Sequence, residues 1–155
     1  MEHIEETEHR LIQSKKSLAE FASGHEYFGL HFQRGGWVFR EWAPNATAIY
    51  LIGDMSKWQV LPEFELQKII EFGVWEIHLT ADKLRHGDLY RLRIYWAGGE
   101  GDRIPAYARR VMQDPKTLIF NAQVWSPPDT YRWKEPNFKR HEEPPLIYEA
   151  HIGMA

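Results

Sequence analysis

The hydrophobic residues change their spacing once, early in the chain. Before Gly24 they recur at the spacing of an amphipathic helix. The residues that repeat every seven positions are Ile4, Leu11 and Leu18. The pattern predicts a short helical segment over residues 1–24 that ends at Gly24. Ser17 and Glu20 also fit a capping box, so an alternative is two short helices with a joint near Lys16.

After Gly24 the pattern alternates with period two, which is the spacing of β-strands. The predicted strands are rich in β-branched and aromatic residues, and Gly, Pro, Asn and Asp separate them. They cover residues 36–42, 47–53, 64–70, 74–79 and 88–96. Corners are predicted at residues 72–73, 85–88 and 98–99. The fold class predicted for residues 25–103 is mainly β, an immunoglobulin-like antiparallel β-sandwich.

The character of the chain shifts again at Ile104. Residues 104–144 hold six of the nine prolines and show little periodicity, which predicts an extended linker over residues 104–145. Residues 146–155 form a short apolar run with strand chemistry. We interpret this run as the first strand of a further unit.

The composition limits the class of protein. A chain of 155 residues with 43% hydrophobic and 26% charged residues is typical of one globular domain. A net charge of -3 gives no electrostatic reason to expect nucleic acid or a membrane as a partner. The charged first residues and the absence of cysteine predict a cytoplasmic protein without a signal peptide. The unusual feature is the 14% aromatic content, which includes seven tryptophans.

Residues 39–58, FREWAPNATAIYLIGDMSKW, concentrate several of these aromatic residues around two corners. A Pro-Asn corner follows the first strand, and a loop that begins at Gly53 and Asp54 follows the second. This loop sets Trp58 at its far end, where an exposed indole is a flat platform for a sugar ring. The alternative is an indole that only caps the edge of the sandwich.

Several motifs of the chain resemble the signature of the family 48 carbohydrate-binding modules, which precede the catalytic barrel in α-glucan branching and debranching enzymes. They are FREWAPNA at 39–46, LIGD at 51–54 with Trp58, GVW at 73–75 and HGDLYR at 86–91. Three more resemble 1,4-α-glucan branching enzymes of the eukaryote-like type. They are FASGHEYFGLH at 21–31, RIPAYA at 103–108 and YEAHIGM at 148–154. The resemblance covers nearly the whole chain.

The resemblance implies an accessory module of an enzyme that makes α-1,6 branches in glycogen by transferring α-1,4-glucan segments through a covalent intermediate. Residues 146–155 are then the first strand of a truncated (β/α)8 barrel. Retaining glycoside chemistry needs two carboxylates about 5–5.5 Å apart, and the family carries them downstream of Ala155. No catalytic residue is therefore expected in this chain.

The resemblance to glycogen-binding modules, including the β-subunit of AMP-activated kinase, implies a site for an α-glucan such as glycogen or a starch-like polymer. Trp58 matches the platform tryptophan of that group, and Arg91 matches its basic residue. The second platform tryptophan of that group lies on a hairpin. This chain has no tryptophan after Gly99, so Trp96 is only an approximate replacement.

The resemblance also implies that residues 104–145 run along the missing catalytic barrel of the same chain. Trp125, Trp133 and Tyr148 are then expected to dock on that barrel. The eight histidines lack the spacing of metal ligands, so we expect neither a metal nor a cofactor.

Two alternatives to a branching-enzyme module remain. One is a stand-alone glycogen-binding adaptor, and the other is an immunoglobulin-like protein-interaction domain. Residues 146–155 favour the enzyme module, because an adaptor has no use for a barrel strand. The expected location of such a module is cytoplasmic and glycogen-associated.

Overall fold

The structure is a computed structural model, and it describes residues 17, 22–70, 73–129, 131–139, 147–150 and 153. The helical segment predicted over residues 1–24 lies outside these residues except for Ser17 and the last three positions. Gly24, at which the predicted segment ends, begins a helix of one turn, α1 (Gly24–Tyr27). No helix in the described ranges is long and apolar enough to cross a membrane.

Nine strands follow α1 in the part of the chain that the structure describes. They are β1 (Gly29–Gln33), β2 (Gly36–Trp42), β3 (Ala46–Gly53), β4 (Gln67–Ile70), β5 (Val74–Thr80), β6 (Leu89–Trp96), β7 (Gly99–Arg103), β8 (Val111–Gln113) and β9 (Phe120–Gln123). The described residues between these strands include the single 3-10 turns Asp54–Ser56, Pro62–Phe64 and Ala81–Lys83.

The strands form two antiparallel sheets. The first sheet has the order β1-β2-β5-β4, and the second has the order β3-β6-β9-β8, with β7 paired to β6. Strand β6 is the centre of the second sheet. It pairs with β3 on one edge, and with both β7 and β9 on the other. This confirms the predicted antiparallel β-sandwich.

The core lies between the two sheets and follows from the alternation of side chains along each strand. Phe39 of β2 lies opposite Leu30 of β1 and Ile77 of β5, and it is fully buried. The Tyr90 ring of the second sheet meets the Phe39 ring edge-on at 6.3 Å between centroids. Each inward face therefore supplies every second residue to one continuous apolar cluster.

The predicted strand over residues 64–70 is shorter in the structure, where it begins at Gln67. The 3-10 turn Pro62–Phe64 occupies the preceding residues, because proline fixes φ at the start of a turn. Phe64 still reaches the core, since only 1% of its surface is exposed.

The predicted linker over residues 104–145 differs from the structure. Strands β8 and β9 within it belong to the second sheet, and Ala122 and Val124 are completely buried in the core. The backbone N–H of Val124 also donates to the carbonyl oxygen of Asp88 at 2.9 Å. The sandwich therefore extends past the predicted boundary at residue 103 to about residue 124.

The buried position of Val124 allows the extension of the sandwich to about residue 124 to be tested. Val124→Ala should lower the free energy of unfolding by about 2 kcal/mol, because it removes buried methyl groups and leaves a cavity. Val111→Ala is the matched control, since Val111 of β8 is 42% exposed and should change stability by less than about 0.5 kcal/mol. Urea unfolding followed by tryptophan fluorescence measures both. Equal losses would contradict a core position for Val124.

Candidate functional site

The loop after β3 carries the first candidate site residue, Trp58. A 3-10 turn over Asp54–Ser56 comes first, and Lys57 and Trp58 then adopt positive φ angles of 52° and 61°. The backbone N–H of Trp58 donates to the carbonyl oxygen of Gly53 at 2.8 Å. Two consecutive left-handed residues other than glycine are uncommon. They turn the chain back so that the indole stands at the end of β3, 41% exposed.

Gly53 allows this loop to start directly beside β6. A Cβ atom at this position would lie 2.2 Å from the carbonyl oxygen of Leu89, far inside van der Waals contact. Glycine is therefore required for the close approach of the two strand ends. The hydroxyl of Ser56 closes the turn, since it accepts the backbone N–H of Gly53 at 3.1 Å.

The carboxylate of Asp54 fixes the indole to the sheet. Its Oδ1 accepts a hydrogen bond from Trp58 Nε1 at 3.2 Å, and its Oδ2 accepts one from the backbone N–H of Leu89 at 2.7 Å. Leu89 is the first residue of β6. The Asp54 side chain therefore links the indole of Trp58, the loop that carries it and the central strand of the second sheet.

Arg91 lies two residues further along β6, on the outer face of the second sheet. Its neighbours Tyr90 and Leu92 point into the core, so the alternation places the guanidinium on the opposite side. Nε and Nη2 donate to the carbonyl oxygen of Phe120 at 3.1 Å and 2.6 Å. This uses two of the five guanidinium N–H donors.

Trp58 and Arg91 line one cleft of about 370 Å³. Its polar wall adds three carboxylates and an amide, which are Asp54, Asp102, Asp114 and Asn121. The Asp114 Oδ1 accepts the backbone N–H groups of Thr117 and Lys116 at 2.7 Å and 2.9 Å. These two bonds lower the pKa of the Asp114 carboxyl, so it is ionised at neutral pH.

The arrangement is suited to bind a sugar. An exposed indole covers the C–H face of a pyranose ring, while carboxylates, a guanidinium and an amide serve its hydroxyl groups. In the part of the chain that the structure describes, no group of three or more histidine, aspartate or glutamate side chains is arranged to hold a metal ion.

The structure does not bring Trp96 to this cleft. Trp96 lies on the core face of β6 and packs against the apolar cluster, whereas Arg91 lies on the outer face. The two positions differ by five residues, and an odd difference along a strand places side chains on opposite faces. Trp96 lines a separate cavity near Trp42.

The polar wall of the cleft was not among the features predicted from the sequence. Asp114 and Asn121 fall in the segment that was predicted to be a linker, and Asp102 falls in β7, which was not predicted. Among the residues of the polar wall, only Asp54 could have been found from the sequence, because it follows Gly53 in the LIGD motif and lies four residues before Trp58.

The residues predicted to dock on a barrel differ in their surroundings. The Trp125 ring contacts His86 at 4.8 Å between centroids, and the guanidinium of Arg110 lies 4.3 Å from its centroid. Trp125 therefore packs on the sandwich and is 42% exposed. Trp133 and Tyr148 are 77% and 92% exposed. Their docking role stays a prediction.

Comparison with known proteins finds a family that matches part of the chain and enzymes that are similar to nearly all of it. Residues 27–108 match the family described as Carbohydrate-binding module 48 (Isoamylase N-terminal domain). A 1,4-alpha-glucan-branching enzyme of Rhizophagus irregularis is 36% identical over 92% of this chain and 22% of its own length. The enzyme of the same name from Dictyostelium discoideum is 32% identical over 98% of this chain and 23% of its own length. The chain thus spans about a fifth of the curated relatives it matches.

A solved structure supports the fold. Pullulanase type I from Bacillus subtilis, in complex with maltose, superposes with a TM-score of 0.52 over 74% of this chain and 16% of that chain. The sequence identity is 23%, so the likeness concerns the architecture of the sandwich.

The double role of Asp54 can be tested by Asp54→Asn. An amide nitrogen cannot accept a hydrogen bond, so either the indole or the Leu89 amide loses its acceptor. We expect faster solvent exchange of the Trp58 Nε1–H in NMR spectra and a loss of about 1 kcal/mol in the free energy of unfolding.

Asp129→Asn is the matched control. Asp129 is exposed and lies away from the site, and its substitution removes the same charge. The control should leave both quantities unchanged. Equal effects of the two substitutions would show that the loss of a charge, and not the loss of the hydrogen bond between Asp54 and the indole, causes the change.

Proposed function

The chain belongs to the carbohydrate-binding module 48 family, and on that premise we propose that it is an accessory glucan-binding module of a 1,4-α-glucan branching enzyme. The whole enzyme transfers α-1,4-glucan segments to 6-hydroxyl groups and so makes the branches of glycogen. The module holds the polymer while the catalytic domain of the same protein performs the transfer. Both named relatives are branching enzymes, which supports this assignment.

The observation that carries the proposal is the cleft of Trp58, Asp54 and Arg91. Its indole is exposed and held in one orientation by Asp54. A platform that is fixed before binding loses little conformational entropy when a sugar stacks on it. The guanidinium of Arg91 is likewise fixed by the Phe120 carbonyl. Such pre-organised aromatic and polar groups are typical of sugar recognition.

The expected affinity is weak. An aromatic stack contributes about 0.5–1.5 kcal/mol beyond the burial of its area, and a dissociation constant of 1 mM corresponds to about 4.1 kcal/mol. One platform with a few hydrogen bonds therefore gives binding in the millimolar range. A polymer offers many equivalent segments, so that weak contacts at a high effective concentration still retain the enzyme.

The carboxylates of the cleft support binding rather than catalysis. Asp54 accepts hydrogen bonds from Trp58 and Leu89, Asp102 is paired with the guanidinium of Arg93, and Asp114 is held ionised by backbone N–H groups. A general acid needs a raised pKa and freedom to reach a glycosidic oxygen. We therefore assign the acid and the nucleophile of the reaction to the rest of the enzyme.

The exposed aromatic residues beyond the sandwich support a second role of the same module. Trp133 and Phe138 are each 77% exposed, and Tyr148 is 92% exposed. Apolar surface of this kind marks an interface. In the proposed enzyme these residues, with Trp125, dock the module on the catalytic barrel.

Titration with maltoheptaose tests the proposed site. We expect saturable quenching or a shift of tryptophan fluorescence with a dissociation constant of about 1 mM. Trp58→Ala should weaken binding at least about tenfold, because it removes the platform. Trp133→Ala is the matched control and should leave the affinity unchanged, since Trp133 is 77% exposed and does not line the cleft.

Unchanged affinity in Trp58→Ala would refute the site. A complete lack of glucan binding would instead favour a protein-interaction domain whose aromatic residues meet a partner.

Iodine-stained amylose tests whether catalysis belongs to the rest of the enzyme and not to this module. The 155-residue chain should leave the absorption spectrum of the amylose–iodine complex unchanged, because branching requires the pair of carboxylates assigned to the rest of the enzyme. A full-length relative is the positive control. A blue shift of the spectrum produced by the chain alone would contradict the assignment.

A further inference from the structure

The outer face of the second sheet carries a pair of aromatic rings, which belong to Tyr50 of β3 and Tyr95 of β6. Their neighbours Ile49 and Ile94 point into the core, so the alternation places both tyrosines outward. The rings meet edge-to-face, with 6.0 Å between their centroids and 85° between their planes. Both side chains are half-buried. The pair therefore lies on the same face of the sheet as the cleft of Trp58.

The hydroxyl groups of both tyrosines have partners that orient the rings. Tyr50 forms an antiparallel bridge with Glu65. Partial burial and a hydrogen bond to the Glu65 carboxylate raise the pKa of the Tyr50 phenol. The hydrogen bond with Asp102 raises the pKa of the Arg93 guanidinium, and a further bond to the Tyr95 hydroxyl acts in the same direction. Rings that are held before binding lose little conformational entropy when a ligand stacks on them.

Arg93 connects the tyrosine pair with the cleft. It lies two residues before Tyr95 on the same face of β6, and the register places it opposite Tyr50 of β3. Its Nε donates to Oδ1 of Asp102. Asp102 in turn lines the cleft of Trp58. The cleft and the tyrosine pair are therefore parts of one continuous surface.

The chemistry of the pair is suited to a sugar. An edge-to-face contact uses only the edge of one ring, so the pair does not use the faces of that ring, which can meet the C–H face of a pyranose. Glu100 of β7 is exposed, and its Oε1 lies 3.6 Å from Nη1 of Arg93. This distance is longer than a hydrogen bond. The carboxylate, with about four lone-pair positions, therefore has acceptor capacity for sugar hydroxyl groups.

The distance along β6 sets the size of the ligand. Four residues separate Arg91 in the cleft from Tyr95, which is roughly 14 Å along the strand. The two rings of a disaccharide are too short to reach both places, whereas an oligosaccharide of several units is long enough. The hairpin after β6 has no tryptophan after Gly99, and Trp96 lies on the core face. The tyrosine pair is thus an aromatic surface on the outer face where Trp96 supplies none.

We propose that Tyr50 and Tyr95 form a second platform of the glucan site, so that one α-glucan strand runs along β6 from Trp58 to the tyrosine pair. The inference rests on the proposed function, which supplies the α-glucan. Once one part of the strand is bound, the second contact is intramolecular, and two weak contacts on one ligand strengthen each other. The site consequently prefers a glucan of several units over a disaccharide.

NMR titration of the 155-residue chain tests the second platform. The ligand is maltoheptaose, and the tyrosine rings carry the isotope label. Tyr50→Phe and Tyr95→Phe assign the two ring signals, and Trp58→Ala assigns the indole N–H. We expect maltoheptaose to shift all three signals with one common dissociation constant. Trp58→Ala should weaken the response of the tyrosine signals at least about threefold, because the same ligand contacts both platforms.

Tyr95→Ala measures the contribution of the pair. It should weaken the binding of maltoheptaose, followed at the indole of Trp58, about threefold or more. The binding of maltose at the same indole should not change, because maltose does not reach the pair. Tyr131→Ala is the matched control, since Tyr131 also forms an edge-to-face pair, with Trp133 at 5.0 Å, and does not line the cleft. It should leave both affinities unchanged.

The outcomes separate this inference from the proposed function. A shift of Trp58 without shifts of the tyrosine signals overturns the second platform and leaves the module a glucan binder. Tyrosine shifts with a different dissociation constant, or unaffected by Trp58→Ala, also overturn it, as does an equal loss of maltose and maltoheptaose binding in Tyr95→Ala. If Tyr95→Ala does not fold, the ring signals of the unsubstituted chain decide. If no signal moves with either glucan, the platform and the proposed function both fail.

Discussion

The alternation of side chains along β6 is the constraint on which the rest of the structure depends. Tyr90, Leu92, Ile94 and Trp96 face the first sheet, while Arg91, Arg93 and Tyr95 face outward. The strand is paired on both edges, by β3 on one side and by β7 and β9 on the other. A slip by one residue would exchange the two sets, and burying two arginines opposes any such slip. The register is therefore fixed by burial and by pairing together.

The candidate site and the position of Trp96 are both consequences of this register. The start of β6 offers the Leu89 N–H to Asp54, and Asp54 in turn holds the indole of Trp58. The end of β6 places Trp96 on the side of the core, where the small residues of β7 make room for it. One strand thus positions an exposed indole at one end and a half-buried indole at the other. Besides the loop over residues 54–58, the cleft draws Asp114 and Thr117 from the loop between β8 and β9.

Strands could be predicted from the sequence where the alternation is long and turn residues mark both of its ends. Residues 36–42 and 88–96 each cover three or more periods between turn residues, so their strands could be predicted. Strands β8 and β9 have three and four residues and stand among prolines, which is too short for a period to be recognised. The same limit applies to the cleft. Trp58 and Arg91 follow from motifs, while Asn121 and Asp114 reach the cleft only through the pairing of β9 with β6.

We propose that a glucan rests on the indole of Trp58. Intermolecular nuclear Overhauser effects between maltoheptaose and isotope-labelled protein measure this contact directly. We expect effects between the C–H protons of the sugar rings and the ring protons of Trp58, since stacking brings them to van der Waals distance. Effects confined to other aromatic residues, with none at Trp58 under saturating maltoheptaose, would contradict it.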